Sequence, residues 1–285
     1  MQLSFKQRRL CHFHGNRIYY AAGWRGPLEA LGLTSGKAWD RLDPGKLVTG
    51  SRRTNVYLAD LGDGRRVYFK RHLLFGKPFR FFLRPSTAAV ELFSYKTMKE
   101  LGIPVAEPVA IGEIRRWGSL FAACIVTREI PQSLTLKDYA LTHWLGLSPQ
   151  AKGQAREALT NLICRHLRLM HDAGFFHFDP KWRNLLVRPE SSGKIAGVWW
   201  IDSPRGNQLP AWLHDYGRVH DLASLCRMAL FFLSRSQRLR FLHDYCGPSV
   251  SRRRIRKLVL QIDRHLQRNP PKPIQPSCAS TTSLF

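Results

Sequence analysis

The stretch FFHFDPKWRNLLV, residues 175–187, sets four polar groups, His177, Asp179, Lys181 and Asn184, between apolar anchors. A buried strand or helix has no use for them, because a polar side chain taken out of water costs free energy unless it finds a partner. Two readings are open: a surface loop between buried elements, or a polar loop held rigid by its apolar flanks so that it can do chemistry. The surroundings sharpen the choice. Upstream, QAREALTNLICRHLRLMHDAG places apolar residues at 155, 158, 159, 162, 163, 167 and 170, one face of a helix, with Gly174 positioned to end it. Downstream, GVWWID reads as a short strand closing on Asp202.

Further out, the text from Val48 changes to strand-like patterns. NVYLADLGDGRRVYFK has two alternating runs around a Gly/Asp turn, a β-hairpin ending at Lys70. STAAVELFSYKTMKEL, 86–101, predicts a helix with Ser86 as N-cap and Gly102 just past its end. VAIGEI and LFAACIVT predict two strands joined by RRWG. After about Ile130 the pattern turns helical: the helix before the opening stretch, a buried helix over HDLASLCRMALFFLS, and a basic helix over 252–268. Residues 1–45 hold aromatics and glycines without a period and predict no element, and no internal repeat is present. The end, NPPKPIQPSCASTTSLF, has the Pro/Ser-rich composition of a disordered tail. The order is a β-rich part with one helix, a connector and a helical part, an α+β chain.

Composition bounds the partners. Forty-five Lys and Arg against 20 Asp and Glu give a net charge of +25, which asks for an anionic partner: nucleic acid, an acidic membrane surface or a phosphorylated substrate. Cationic small molecules would be repelled. Nucleic acid is not expected, since no nucleic-acid-binding module is recognisable. The six cysteines, at 11, 124, 164, 226, 246 and 278, lack CxxC spacing, which argues against a zinc site or disulfide framework and for a reducing compartment. The basic start lacks the apolar core of a signal peptide, and runs such as SLFAACIV are too short to span a bilayer, so a cytoplasmic protein is expected. The basic aromatic stretch RHLLFGKPFRFFLR reads two ways: phenylalanines packed between lobes, or aromatics and cations docked on an anionic membrane or glycolipid headgroup.

Asp179 and Asn184 stand in the pattern H-x-D-x-x-x-x-N, with Asp202 closing the next strand and Lys70 and Glu91 far upstream. Phosphoryl transfer from a nucleotide needs such parts: a Lys to steady phosphates, a Glu to fix that Lys, a carboxylate and an amide oxygen to hold magnesium, and a carboxylate to orient the attacking hydroxyl. On these residues the chain resembles the protein-kinase-like fold, and more narrowly the bacterial lipopolysaccharide core kinases that act on inner-core heptose or Kdo, from about Val48 to Leu233. The resemblance implies a small β-rich N-terminal lobe, 1–127, with an extension at 1–45, and a larger, mainly helical catalytic lobe, 128–268. It implies ATP and Mg2+ as cofactors, Asp179 as catalytic base, and Lys181 aimed at the transferred phosphoryl group. Lys70 paired with Glu91 would hold phosphates, Asn184 and Asp202 the metal, and backbone groups of Arg128, Glu129 and Ile130 the adenine. His177 would be structural, and Asp221 of HDLASL would brace the catalytic loop. The implied acceptor is a sugar of the lipopolysaccharide core or lipid A precursor, met at the cytoplasmic face of the inner membrane.

The chain departs from the kinase pattern in three places. TGSRRTNVY stands where a G-x-G-x-x-G loop would cover the phosphates, and Gly50 with Arg52 and Arg53 could substitute for it in part. Ser203 and Pro204 follow Asp202 in place of Phe-Gly, which speaks against regulation by a flipping segment, and the absence of A-P-E favours a small or lipid-linked acceptor over a protein. The rival readings are a kinase for another small molecule or a protein, and a catalytically silent kinase fold serving as a basic binding module.

Overall fold

The computed structural model describes residues 12–51, 53–74, 81–190 and 193–270. The predicted tail beyond 270, Arg52, the middle of RHLLFGKPFRFFLR (75–80) and the first eleven residues lie outside these.

The N-terminal part is built on one antiparallel sheet. In chain order it contains β1 (Gly15–Tyr20), α1 (Arg25–Ala30), β2 (Lys46–Gly50), β3 (Thr54–Asp60), β4 (Arg66–Leu73), α2 (Thr87–Glu100), β5 (Pro108–Arg116) and β6 (Ser119–Arg128). The strands lie in the order β1-β5-β6-β4-β3-β2. The predicted hairpin is β3–β4, paired from Thr54↔His72 to Asp60↔Arg66, so β4 runs three residues past Lys70 rather than ending there. Side chains alternate across a strand, so β4 sends Val67 and Phe69 to one face and Lys70 to the other. Residues 24–39, which carried no readable period, cover the outer face: Trp24, Leu28, Leu33 and Trp39 are buried there against Val67, Phe69, Val109 and Val126. Trp39 Nε1 donates to Asn16 Oδ1 at 2.5 Å, and Tyr20 Oη to the Leu33 carbonyl at 2.6 Å. Burying each such side chain contributes about 1.5–3 kcal/mol, reason enough for an irregular cover to hold. Short helix α1 sits in this cover, so among the described residues the sheet-rich part holds α1 as well as the single helix expected, α2.

Helix α2 crosses the inner face. Ser86 Oγ accepts from the Ala89 N–H at 3.0 Å, and Gly102, at φ +73°, takes the left-handed conformation that ends it. The chain then enters the helical part through β7 (Leu134–Thr135) and α3 (Leu136–Asp138). Next come α4 (Pro149–Asp172), β8 (Phe175–Phe176), β9 (Leu185–Pro189), β10 (Ile195–Trp200) and β11 (Asn207–Gln208), followed by α5 (His214–Phe232), α6 (Arg235–Cys246) and α7 (Arg252–Arg268). Strands β10, β9 and β7 form a small sheet, and β11 pairs with β8. One core runs through both parts, from Leu92, Met98 and Ile125 to Met170, Phe175, Trp200 and Leu222. It seats α2 on the helical part, which places Lys70 and Glu91 over the 175–187 stretch. Cys124, Cys164, Cys226 and Cys246 are free thiols. Among the described residues no helix is long and apolar enough to cross a membrane.

Candidate active site

Lys70 is the meeting point of three elements. Its Nζ donates to Glu91 Oε2 on α2 at 2.8 Å and to Asp202 Oδ1 after β10. Glu91 is buried and Lys70 nearly so. Tyr95, one helical turn beyond Glu91, donates to Glu91 Oε1 at 3.1 Å and accepts from the Asp202 N–H at 3.1 Å. Ser94 Oγ donates to the Ser203 carbonyl at 3.0 Å. Consecutive residues of one helix thus fix both the lysine's partner and the backbone of the 202–203 segment. That segment needs fixing, because Asp202 stands at φ +56°, a conformation L side chains rarely adopt. Burial disfavours charge on Lys70, but Glu91 and Asp202 outweigh it and hold the ammonium above its usual pKa. Burial likewise pushes Asp202 up, and Lys70 outweighs it, leaving the carboxyl below its ordinary value.

The opening stretch forms the floor. Asp179 Oδ1 lies 2.6 Å from Lys181 Nζ, and its Oδ2 accepts from Asn184 Nδ2 at 3.1 Å. The same Nδ2 reaches the Asp179 carbonyl at 2.9 Å and the Asp202 carbonyl at 3.4 Å. With the Asn184 amide hydrogens so engaged, its Oδ1 is the atom left to meet a cation. An unbroken run of polar contacts therefore links Glu91, Lys70, Asp202, Asn184, Asp179 and Lys181, brought together from positions up to 132 apart in sequence.

The loop is held from below. Asp221, fully buried on α5, accepts from the His177 N–H at 2.9 Å and the Phe178 N–H at 2.8 Å. His171 Nε2 is 3.2 Å from the same carboxylate, and its Nδ1 is 2.7 Å from Tyr245 Oη. Burial would raise the Asp221 carboxyl, but the surrounding His171 and His220 hold it well below the usual range. His177 is buried, and burial lowers its pKa below the ordinary value; Ser203 Oγ donates to its carbonyl at 3.1 Å. Tyr95, Ser94, His171 and Tyr245 were not singled out from sequence. For Tyr95 the readable signal was its spacing, four residues from Glu91 on one helix face.

In the connector two of the backbone donors are engaged within the protein. The Arg128 N–H donates to the Glu107 carbonyl at 2.8 Å, and the Glu129 N–H to the Arg66 carbonyl at 2.9 Å, so both donors belong to the sheet. The Glu129 carboxylate pairs with Arg66 at 2.6 Å. The Ile130 carbonyl accepts from Ser133 Oγ at 2.8 Å. Arg53 is exposed on the β2–β3 turn.

Among the described residues no group of three or more His, Cys, Asp or Glu could hold a metal. Asn184 with Asp202 is the smaller oxygen set that suits magnesium, which keeps most of its waters and borrows phosphate oxygens. An apolar cavity of about 320 Å³ lies beneath the loop, lined by Leu136, Tyr139, Leu159, Trp182 and Phe232 among others. None of the six polar groups faces it, so it is not where the polar chemistry is assembled.

Residues 50–245 match the Lipopolysaccharide kinase (Kdo/WaaP) family. The described fold is similar to a solved structure, WaaP in complex with acyl carrier protein, with a TM-score of 0.63 at 22% identity over 88% of this chain and 98% of that one. No curated protein matches this chain. Since the family match spans more than half its length, the chain belongs to the lipopolysaccharide kinase (Kdo/WaaP) family, a family of phosphotransferases.

Proposed function

We propose that the chain is an ATP- and magnesium-dependent kinase of two lobes that phosphorylates a heptose or Kdo hydroxyl of the lipopolysaccharide inner core. The observation that carries this reading is the polar run from Glu91 to Lys181, which sets a fixed ammonium, two oxygen ligands and a second carboxylate in one place. Asn184 Oδ1 and the Asp202 carboxylate would hold magnesium, whose positive charge would offset that of the phosphates. Lys70, held by Glu91, would steady the phosphate chain. Asp179, oriented by Asn184, would accept the proton of the attacking hydroxyl, and Lys181 would leave its present pairing with Asp179 to meet charge on the migrating group. The adenine would lie against the connector, read by the Glu129 carbonyl and the Ile130 N–H, since the other two donors are engaged.

The acceptor and the lobed layout are supported by family membership and by the fold likeness. A phosphate-rich acceptor at the inner membrane also accords with a charge of +25. By likeness to the neighbouring structure, an acyl carrier protein is included as a candidate partner, to be tested by co-purification. The kinase reading is tested by mass analysis of core oligosaccharide from cells lacking the protein, complemented with wild type or Asp179→Ala. One phosphate should be missing, restored by wild type and not by the variant. An unchanged core would remove the assigned acceptor, and restoration by Asp179→Ala would remove the assigned base.

A further inference from the structure

We propose that the tip of the six-stranded sheet, centred on Trp117, is a docking surface for an anionic lipid bilayer. Phe13, Phe82, Leu83, Trp117 and Phe121 are all exposed there, Trp117 by 70%. They form one patch. Gly118 sits among them so closely that a Cβ on it would meet Leu83 Cδ2 at 3.0 Å, Phe13 Cε2 at 3.1 Å and Phe82 Cε2 at 3.3 Å. The Phe13 and Trp117 rings lie 6.2 Å apart, edge to face.

The backbone presents this patch against local preference. Trp117 and Gly118 form the two-residue turn between β5 and β6, with φ +50° and +82°. A turn with both residues left-handed favours Asn-Gly or Asp-Gly, and a tryptophan at the first position is a poor local choice. Leu83 is also left-handed, at φ +52°. Two large apolar residues thus occupy strained positions with their side chains in water, and such conflicts between local preference and structure collect at functional surfaces. The patch is firmly supported. Arg115, fully buried and paired with Glu113 at 2.6 Å, donates to the Gly118 carbonyl at 3.1 Å and the Arg84 carbonyl at 2.9 Å, tying the turn to the 81–84 segment.

Charge selects the occupant. Besides Arg115, which the buried Glu113 neutralises, the segments 12–17, 81–86 and 114–121 carry Arg17, Arg84 and Arg116 and no Asp or Glu. Arg84 and Arg116 are exposed, and Arg116 lies over the Phe121 ring at 5.1 Å. Exposed aromatics rimmed by arginine suit the interface of an anionic bilayer, where rings enter the headgroup layer and cations meet lipid phosphates. Tip and connector lie at opposite ends of the ten residues of β6, about 30 Å apart at the usual rise per residue, so docking leaves the connector side of the cleft uncovered.

The inference stands on this surface and not on the phosphotransfer reading, and its test involves no catalysis. The full chain is sedimented with vesicles of phosphatidylcholine, with and without phosphatidylglycerol. Wild type should bind the anionic vesicles, more weakly as ionic strength rises, and the neutral ones little. Trp117→Asn, a substitution the turn favours and which should melt no lower than wild type, should lose about tenfold or more in partitioning. Trp117→Asn/Phe82→Ser should lose more. The proposal is overturned if wild type stays in the supernatant, if Trp117→Asn binds unchanged, or if Trp117→Asn instead converts a wild-type dimer to a monomer, which would make the tip a contact between copies.

Discussion

Replacing Asp221 by alanine removes one carboxylate and strands three donors at once. The His177 and Phe178 N–H groups, at 2.9 and 2.8 Å, and His171 Nε2, at 3.2 Å, lose their acceptor in a site closed to solvent. Each buried donor left unpaired costs about 1–3 kcal/mol, and relaxation recovers part of the sum, so a loss of about 3–5 kcal/mol is expected, the range found when a buried charged partner is deleted. Asp179 follows Phe178 directly, so a slackened loop should also lower kcat by more than about tenfold through lost positioning. Urea titration at neutral pH reads the stability. Sign matters in its pH dependence: Asp221 is held below its unfolded value, so its contribution is fully present above the unfolded carboxylate pKa and is lost as pH falls through the folded one. The difference between wild type and variant should therefore be flat above about pH 5 and shrink in strong acid. A variant within roughly 1 kcal/mol of wild type, with an unchanged urea slope, would refute the bracing role.

Two further perturbations probe other parts of the fold. Arg115→Met should destabilise by about 3–5 kcal/mol in urea, because Glu113 is left charged, buried and unpaired; Arg115→Met/Glu113→Leu should recover much of that loss. His166 is buried, its Nδ1 accepting from Trp200 Nε1 at 3.0 Å, and burial lowers its pKa from 6.5 to about 4. The unfolded chain then binds a proton that the folded one refuses, so stability should fall as pH drops from about 6.5 toward 4, and His166→Phe should flatten that slope.

The parts of the site that were legible in the sequence are those where local chemistry and periodicity agree. Ser86 and Gly102 bracket α2 by the rules of capping, and the spacing around Leu159 and Leu167 marks the buried face of α4. The polar interruption at 177–184 stood out because both flanks are core: Phe175, Phe176, Leu185 and Val187 are all fully buried. Lys70 was harder, because a single lysine in a strand looks like a solvated one; only its contact with Glu91 in the folded chain separates the two. The cover at 24–39 was illegible since Trp24, Leu28, Leu33 and Trp39 bury themselves one at a time from turns, leaving no period to read. Helix α6 is not legible either: it is rich in polar residues, and only Tyr245 is buried, with Phe241, Leu242 and Cys246 partly so. Its one signal was the pairing of Ser234 with Gln237, a capping box. Asp221 could be marked as a brace, but its partners are backbone donors and a histidine 50 residues upstream, which sequence does not display.

The most direct measurement is magnesium-dependent ATP binding, followed by calorimetry or thermal shift, in wild type, Asp202→Asn and Asp179→Asn, with phosphate transfer assayed alongside. Wild type should bind ATP only with magnesium present; Asp202→Asn should lose that binding, while Asp179→Asn should keep it and lose transfer. Undiminished binding by Asp202→Asn, or normal turnover by Asp179→Asn, would contradict the account.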